Sequence, residues 1–60
     1  MRKFYCLYQY PGQLGIHVLM SSEDEVIVAD NEEDKQLIIN AAEKLVADNI
    51  ISGYRIVQEV

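Results

Sequence analysis

The sequence predicts a small α+β domain with the element order β-β-β-α-β, a mostly antiparallel four-stranded sheet and one amphipathic helix on one sheet face. Three observations predict this class. The first half of the chain holds short β-prone segments separated by turn residues, the stretch from Glu32 to Asp48 has apolar residues at helical spacing, and a last β-prone segment follows Gly53. With 60 residues the chain makes one domain, residues 1–60.

The three N-terminal strands are predicted from side-chain alternation and from turn residues. Arg2 to Tyr10 is rich in aromatic residues, and Pro11-Gly12 after it is a typical turn pair, with Pro presetting φ and Gly accepting a positive φ. Gly15 to Met20 is the second predicted strand. A polar turn of serines and acids then leads to the third, Glu25 to Ala29.

The helix is predicted to begin after Asp30 or Asn31, since either side chain can accept a hydrogen bond from a free backbone N–H. Acidic residues directly after them favour the positive end of the helix dipole. The helix should run from Glu32 to Asp48 and end at Asn49, with an apolar arc of Leu37, Ile38, Ile39, Ala41, Ala42, Leu45 and Val46. A right-handed crossover would then place the last strand, Tyr54 to Glu59, parallel to the third and first strands. It could pair beside the first strand, which we favour, or beside the third.

One helix covers one face of the predicted sheet, yet the strands carry apolar residues on both faces. If Phe4 and Cys6 face the helix, Tyr5 and Leu7 face away, and Leu19 is expected to join them. The third and last strands leave alternatives open: Ile27 or its neighbours, and Val57 or the pair Tyr54 and Ile56. We expect Tyr5, Leu7 and Leu19 to form a partner-binding sheet face; the alternative is that they are singly exposed apolar residues.

Seven acids lie between Glu23 and Asp34. They fit a solvated turn followed by a well-capped helix start, or a patch that docks on a basic surface such as the nucleic-acid-binding site of another protein. The candidate acidic patch comprises Glu23, Asp24, Glu25, Glu32 and Glu33. A calcium loop is disfavoured, because Asp30 to Asp34 has no glycine and leads straight into a helix.

Composition limits the classes of partner. The formal net charge of −5 disfavours direct binding to nucleic acid or anionic membranes. No apolar run approaches the roughly 20 residues that span a bilayer. One cysteine allows no internal disulfide, and one Cys with one His does not supply a four-ligand zinc site. We expect a cytoplasmic protein that binds no metal or cofactor.

Catalytic groups are sparse. His17 on a strand is expected to pack beside a tyrosine or meet solvent, and Cys6 is expected to be a small buried apolar residue. No catalytic residue is therefore assigned, and a very small oligomeric enzyme is the remote alternative. The sequence predicts a non-enzymatic protein-binding module, a regulator or inhibitor of a larger protein, a class that includes inhibitors encoded by phages. A homo-oligomeric assembly protein that uses the uncovered sheet face, as a homodimer for instance, is the nearer alternative.

Overall fold

The computed structural model describes residues 3–59, which form three strands and one helix. β1 comprises Lys3–Gln9, β2 His17–Val18, α1 Glu32–Ala47 and β3 Gly53–Glu59. The sheet order is β2-β1-β3, and β1 is antiparallel to both neighbours. The α+β class with one helix is confirmed, whereas the predicted number of four strands is wrong. Arg2, the predicted start of the first strand, lies outside the described residues.

The core lies between α1 and one face of the sheet. Phe4 and Cys6 of β1 are buried against Ile38 and Ala42 of α1, and Ala29 completes the cluster. Strand alternation directs Tyr5 and Leu7 to the other face. Only six apolar residues within residues 3–59 are buried, the sixth being Ile51. A core this small is expected in so short a chain, and it makes the stability of the domain sensitive to single changes.

The chain reverses after β1 at the predicted turn. Gln13 donates its backbone N–H to the carbonyl of Tyr10 at 3.2 Å, and Gly12 between them has a φ of 75°. Proline at the second position and a positive φ at the third are the features of a type II turn. Residues 10–16 form a loop. Of the predicted second strand, Gly15 to Met20, only His17–Val18 forms a strand.

The predicted third strand is replaced by a segment that bonds to two different partners in turn. Ile27 donates its N–H to the carbonyl of Leu19 at 3.0 Å, and Ala29 exchanges two bonds with Phe4 at 2.7 and 2.8 Å. Only the isolated bridges Met20–Val26 and Phe4–Ala29 result. Because the segment leaves one partner before it reaches the next, no continuous ladder forms there, and the sheet built by residues 3–59 has three strands.

The last strand was predicted next to the first, which is confirmed, but parallel to it, which is wrong. Its start is held by Ser52, whose backbone N–H and hydroxyl both donate to the carbonyl of Gln9 at 2.8 and 3.0 Å. Gly53 therefore enters the sheet beside the C-terminal end of β1, and β3 runs back along it. Ala29, just before α1, also bridges β1 in the antiparallel sense. The chain therefore enters the helix running opposite to β1, and β3 returns in that same direction.

α1 begins where the sequence predicts. Asn31 is the N-cap, and its side-chain oxygen accepts the N–H of Asp34 at 2.7 Å. At the other end Asn49 has a φ of 60°, while Ile50 donates to the carbonyl of Leu45 at 2.9 Å. This is the Schellman arrangement, with asparagine in the position that glycine usually takes.

One part of the predicted apolar arc of α1 is wrong. Ile38 and Ala42 are buried, but Leu37 is 62% exposed and Ala41 is exposed as well. The inward face of the helix is narrower than the arc, because the helix meets a sheet of only three strands. On its flank, Lys35 extends over the ring of Phe4, with Nζ 4.8 Å from the ring centre.

Candidate protein-interaction surface

The face of the sheet opposite α1 is covered by no helix or strand of residues 3–59, and we call it the open face. Strand register defines its members: Leu7 lies opposite Val18 on β2, and Tyr5 lies opposite Val57 on β3. Residues directly opposite in antiparallel strands point to the same side. The open face therefore has an apolar centre of half-buried side chains: Tyr5, Leu7, Val18 and Val57.

Two of the three predicted residues of this face are placed on it, and one is not. Tyr5 and Leu7 lie on the open face, but the prediction for Leu19 is wrong. With Leu7 opposite Val18, the next pair along the ladder is Cys6 and Leu19, and Leu19 donates its N–H to the carbonyl of Cys6 at 2.8 Å. Leu19 packs against the core on the helix side. Val18 lies on the open face, in the place predicted for Leu19.

The apolar surface continues onto the segment after β2. Leu19, Ile27 and Ala29 face the core, so the residues that alternate with them are directed outward. The outward residues are the bridged pair Met20 and Val26, together with Val28, and they are 44%, 43% and 47% exposed. Val18 and Met20 both point away from the side of Leu19. The open face and this outward side therefore adjoin at β2.

A groove of about 300 Å³ lies at the end of the sheet where β1 leaves and β3 enters. Leu7 and Arg55 form part of its lining, and Ile16 contributes an apolar wall from the loop before β2. Since Leu7 and Arg55 are opposite each other in the β1–β3 register, the groove is continuous with the open face. It adds a concave, largely apolar recess beside a cationic side chain.

The predicted acidic patch draws its residues from two elements, the turn after β2 and the start of α1. Glu23, Asp24 and Glu25, here named the turn acids, lie exposed on the turn between Met20 and Val26. The turn is built around Ser21, whose hydroxyl accepts the N–H groups of Glu23 and Glu25 at 3.3 and 3.4 Å. Within residues 3–59, no side-chain hydrogen bond or ion pair uses the carboxylates of the turn acids. These charges are therefore available to a partner.

The acids at the start of α1 already have local roles. Glu32 pairs with Lys35 at 3.6 Å, and the carboxylate of Asp34 accepts a bond from the Asn31 amide at 3.2 Å. Glu32, Glu33 and Asp34 all lie in the first turn, where negative charge stabilises the helix. This half of the predicted patch therefore also has a structural role at the helix start, and the segment that contains Val26 and Ala29 separates it from the turn acids along the chain.

Three aromatic side chains form a cluster at the end of the sheet. The rings of Tyr8 and His17 stack at 5.5 Å, and Tyr10 meets both edge-on at 5.4 and 5.1 Å. The prediction that His17 packs beside a tyrosine is confirmed. The hydrogen bond between the hydroxyls of Tyr8 and Tyr10, at 3.5 Å, raises the pKa of Tyr8, and partial burial adds to the shift.

Cys6 is buried, as predicted. Burial raises the pKa of the Cys6 thiol, and a hydrogen bond from the Arg55 backbone partly opposes this, so the reactive thiolate is disfavoured. Partial burial likewise raises the pKa of Tyr54, as does its 3.0 Å hydrogen bond to Glu43. Neither group lies in a cluster of groups arranged for acid–base work.

Residues 3–59 show neither a metal-binding cluster nor a membrane-spanning helix. That part of the chain contains no group of three or more His, Cys, Asp or Glu side chains placed to hold a metal ion. Its one helix is too short and too polar to cross a bilayer. Comparison of the chain with protein-family models, with curated proteins and with solved structures finds no match. Function is therefore inferred from the described surface.

Proposed function

We propose that this chain is a protein-binding module that regulates or inhibits a larger protein, and that it docks through the open face. The observation that supports this most directly is the apolar centre of that face, which no described helix or strand covers. A sheet with one solvated face normally alternates between apolar and polar side chains. Here Tyr5, Leu7, Val18 and Val57 make the solvated face apolar as well.

The exposed area of the molecule supports the same proposal. It is 4573 Å², against about 4,000 Å² for a compact monomer of this mass. Met20, Val26 and Val28, which continue the apolar surface of the open face, are all more than two-fifths exposed. An apolar centre with charged residues at its margin, here Arg55 and the turn acids, is the usual arrangement of a protein interface.

The turn acids give the proposed partner a chemical character. They border the outward pair Met20 and Val26, and their carboxylates have no partner within residues 3–59. In a chain of net charge −5 they would attract a basic protein surface, such as a nucleic-acid-binding site, and hold it beside the apolar centre. The lone buried thiol fits action in the reducing cytoplasm.

The test of the docking face uses two tagged variants in the native host. Val18→Asp places a charge in the centre of the open face, and Leu37→Asp places the same charge on an exposed apolar residue of α1. Partners that co-purify with the unaltered chain, identified by mass spectrometry, should be lost with Val18→Asp and retained with Leu37→Asp. Circular dichroism must show both variants folded. Equal retention by both would contradict docking through the open face.

The contribution of the turn acids is tested separately, with the captured partner in purified form. Neutralising them with Glu23→Gln, Asp24→Asn and Glu25→Gln keeps their size, and asparagine tolerates the positive φ of 61° at position 24. We expect a slower association rate at low salt and a weaker dependence on salt. The control is Glu32→Gln with Glu33→Gln. If the control changes the association rate as much, the turn acids have no special role.

A further inference from the structure

β3 is an edge strand with one side unpaired. Phe4 and Cys6 of β1 direct their backbone groups to the edge opposite β3, where they bond with Ala29 and Leu19. Their β3 neighbours are Gln58 and Ile56, so the backbone groups of those two residues point away from β1. Among residues 3–59 none pairs with this outer edge.

The edge lacks two common protections against pairing, a proline and a β-bulge. β3 has no proline, and its register with β1 runs without a bulge from Gly53 to Glu59. The opposite edge of the sheet differs, because β2 is two residues long and the segment after it bonds back to β1 at Ala29. One edge of the sheet is therefore closed, and the other presents a regular strand with neither a proline nor a bulge.

We propose that the outer edge of β3 pairs with β3 of a second copy of this chain, antiparallel, about a two-fold axis between the two Val57 residues. In this register the backbone N–H and C=O groups of Ile56 in each copy form hydrogen bonds with those of Gln58 in the other copy. The two Val57 side chains meet on the open face. Arg55 of each copy lies directly opposite Glu59 of the other.

Charge complementarity selects this register. Arg55 and Glu59 are both exposed and point to the open face, since their β1 neighbours Leu7 and Lys3 do. Opposite charges placed directly across a strand pair stabilise it. Glu59 would then lie between Lys3 of its own β1 and Arg55 of the second copy. A register centred on Arg55 would instead bring the two arginines together.

The acids of the chain are also placed so as to permit this contact. The turn acids follow β2, and those at the helix start follow Ala29, which bonds to the edge of β1 opposite β3. Two copies joined at β3 would carry these charges at the far ends of a six-stranded sheet. β3 itself contains one cation and one anion, so its edge adds no net repulsion.

The first test is the oligomeric state of the full chain by sedimentation equilibrium over a wide range of concentration. We expect a monomer–dimer equilibrium. Gln58→Pro removes an outward N–H that no β1 residue uses, and it should weaken the dimer about tenfold or more while leaving the fold intact. Gln58→Ala, which keeps the N–H, should have little effect. A monomer at every concentration, or a dimer unaffected by Gln58→Pro, would overturn the proposal.

The second test examines the register. Arg55→Glu alone and Glu59→Arg alone each place like charges opposite one another, so each variant should dimerise more weakly than the original chain. Mixed together, they restore both opposite-charge pairs and should form a heterodimer. The control mixture of Lys44→Glu with Glu25→Lys carries the same net charges at sites away from β3, and it should show no such preference. If both mixtures preferred the heterodimer equally, net charge alone would explain the preference, and the proposed pairing of Arg55 with Glu59 would be contradicted.

A cysteine at the proposed two-fold axis gives a third measurement. In a pair without mutual hydrogen bonds the Cα atoms lie about 4.5 Å apart, which a disulfide can bridge. Val57→Cys should therefore form a covalent dimer under mild oxidation, and Val18→Cys on the same face should not. A dimer that depends on Val18, tested with Val18→Asp, and not on Gln58 would place the interface on the open face and refute pairing through β3.

Discussion

Leu37 and Ile38 are adjacent apolar residues of α1 that allow helix packing to be tested by one type of substitution. Ile38 is 7% exposed in the core and Leu37 is 62% exposed. Ile38→Ala should lower the free energy of unfolding by about 2–4 kcal/mol, because apolar burial is lost and a cavity is left behind. The higher helix propensity of alanine offsets only a few tenths of a kcal/mol of this loss. Leu37→Ala should change stability by no more than about 0.5 kcal/mol. The whole free energy of unfolding of a domain of this length is only about 3–9 kcal/mol.

Urea denaturation followed by far-ultraviolet circular dichroism measures both variants on one scale. With a slope near 1 kcal/mol per molar urea for so small a domain, a loss of about 3 kcal/mol lowers the midpoint by about 3 M. If the original stability lies at the lower end of the range of about 3–9 kcal/mol, Ile38→Ala is close to unfolded in water, whereas Leu37→Ala should unfold at nearly the original midpoint in every case. If Leu37→Ala lowered the free energy of unfolding as much as Ile38→Ala, Leu37 would also have to face the core, which would contradict an inward face centred on Ile38 and Ala42.

Three further results are expected. Leu19→Asp should unfold the domain because it puts a carboxylate against the core, whereas Val18→Asp on the open face should stay folded; circular dichroism that shows the reverse would contradict the β1–β2 register. Asn31→Ala should lower the free energy of unfolding, measured by urea denaturation, by about 1 kcal/mol, because the Asp34 N–H loses its acceptor. Asn31→Asp should largely retain the original stability. Stability should fall as pH rises above about 8.5, where the unfolded Cys6 thiol ionises but the buried one keeps its proton. The decline should be shallower for Cys6→Ala.

Local features of the chain were predictable because their causes are close together in sequence. The helix start depends on Asn31 and the residues just after it, and the turn after β1 depends on Pro11 and Gly12. The alternation of Phe4 and Cys6 with Tyr5 and Leu7 likewise follows from the two-residue period of a strand. The sequence alone therefore determined the helix bounds to within a residue, the first turn, the presence of the first and last strands and the apolar character of both faces of β1.

Tertiary structure decided the features that depend on which distant segments meet. Leu19 faces the core because the β1–β2 ladder sets Val18 opposite Leu7, and a register shift of one residue would have reversed both side chains. β3 is antiparallel to β1 because Ser52 bonds to Gln9, which is far away along the chain. Leu37 is exposed because a three-stranded sheet covers less of the helix than four strands would. Side-chain periods determine which residues share a face, but contacts across the sheet decide where that face points.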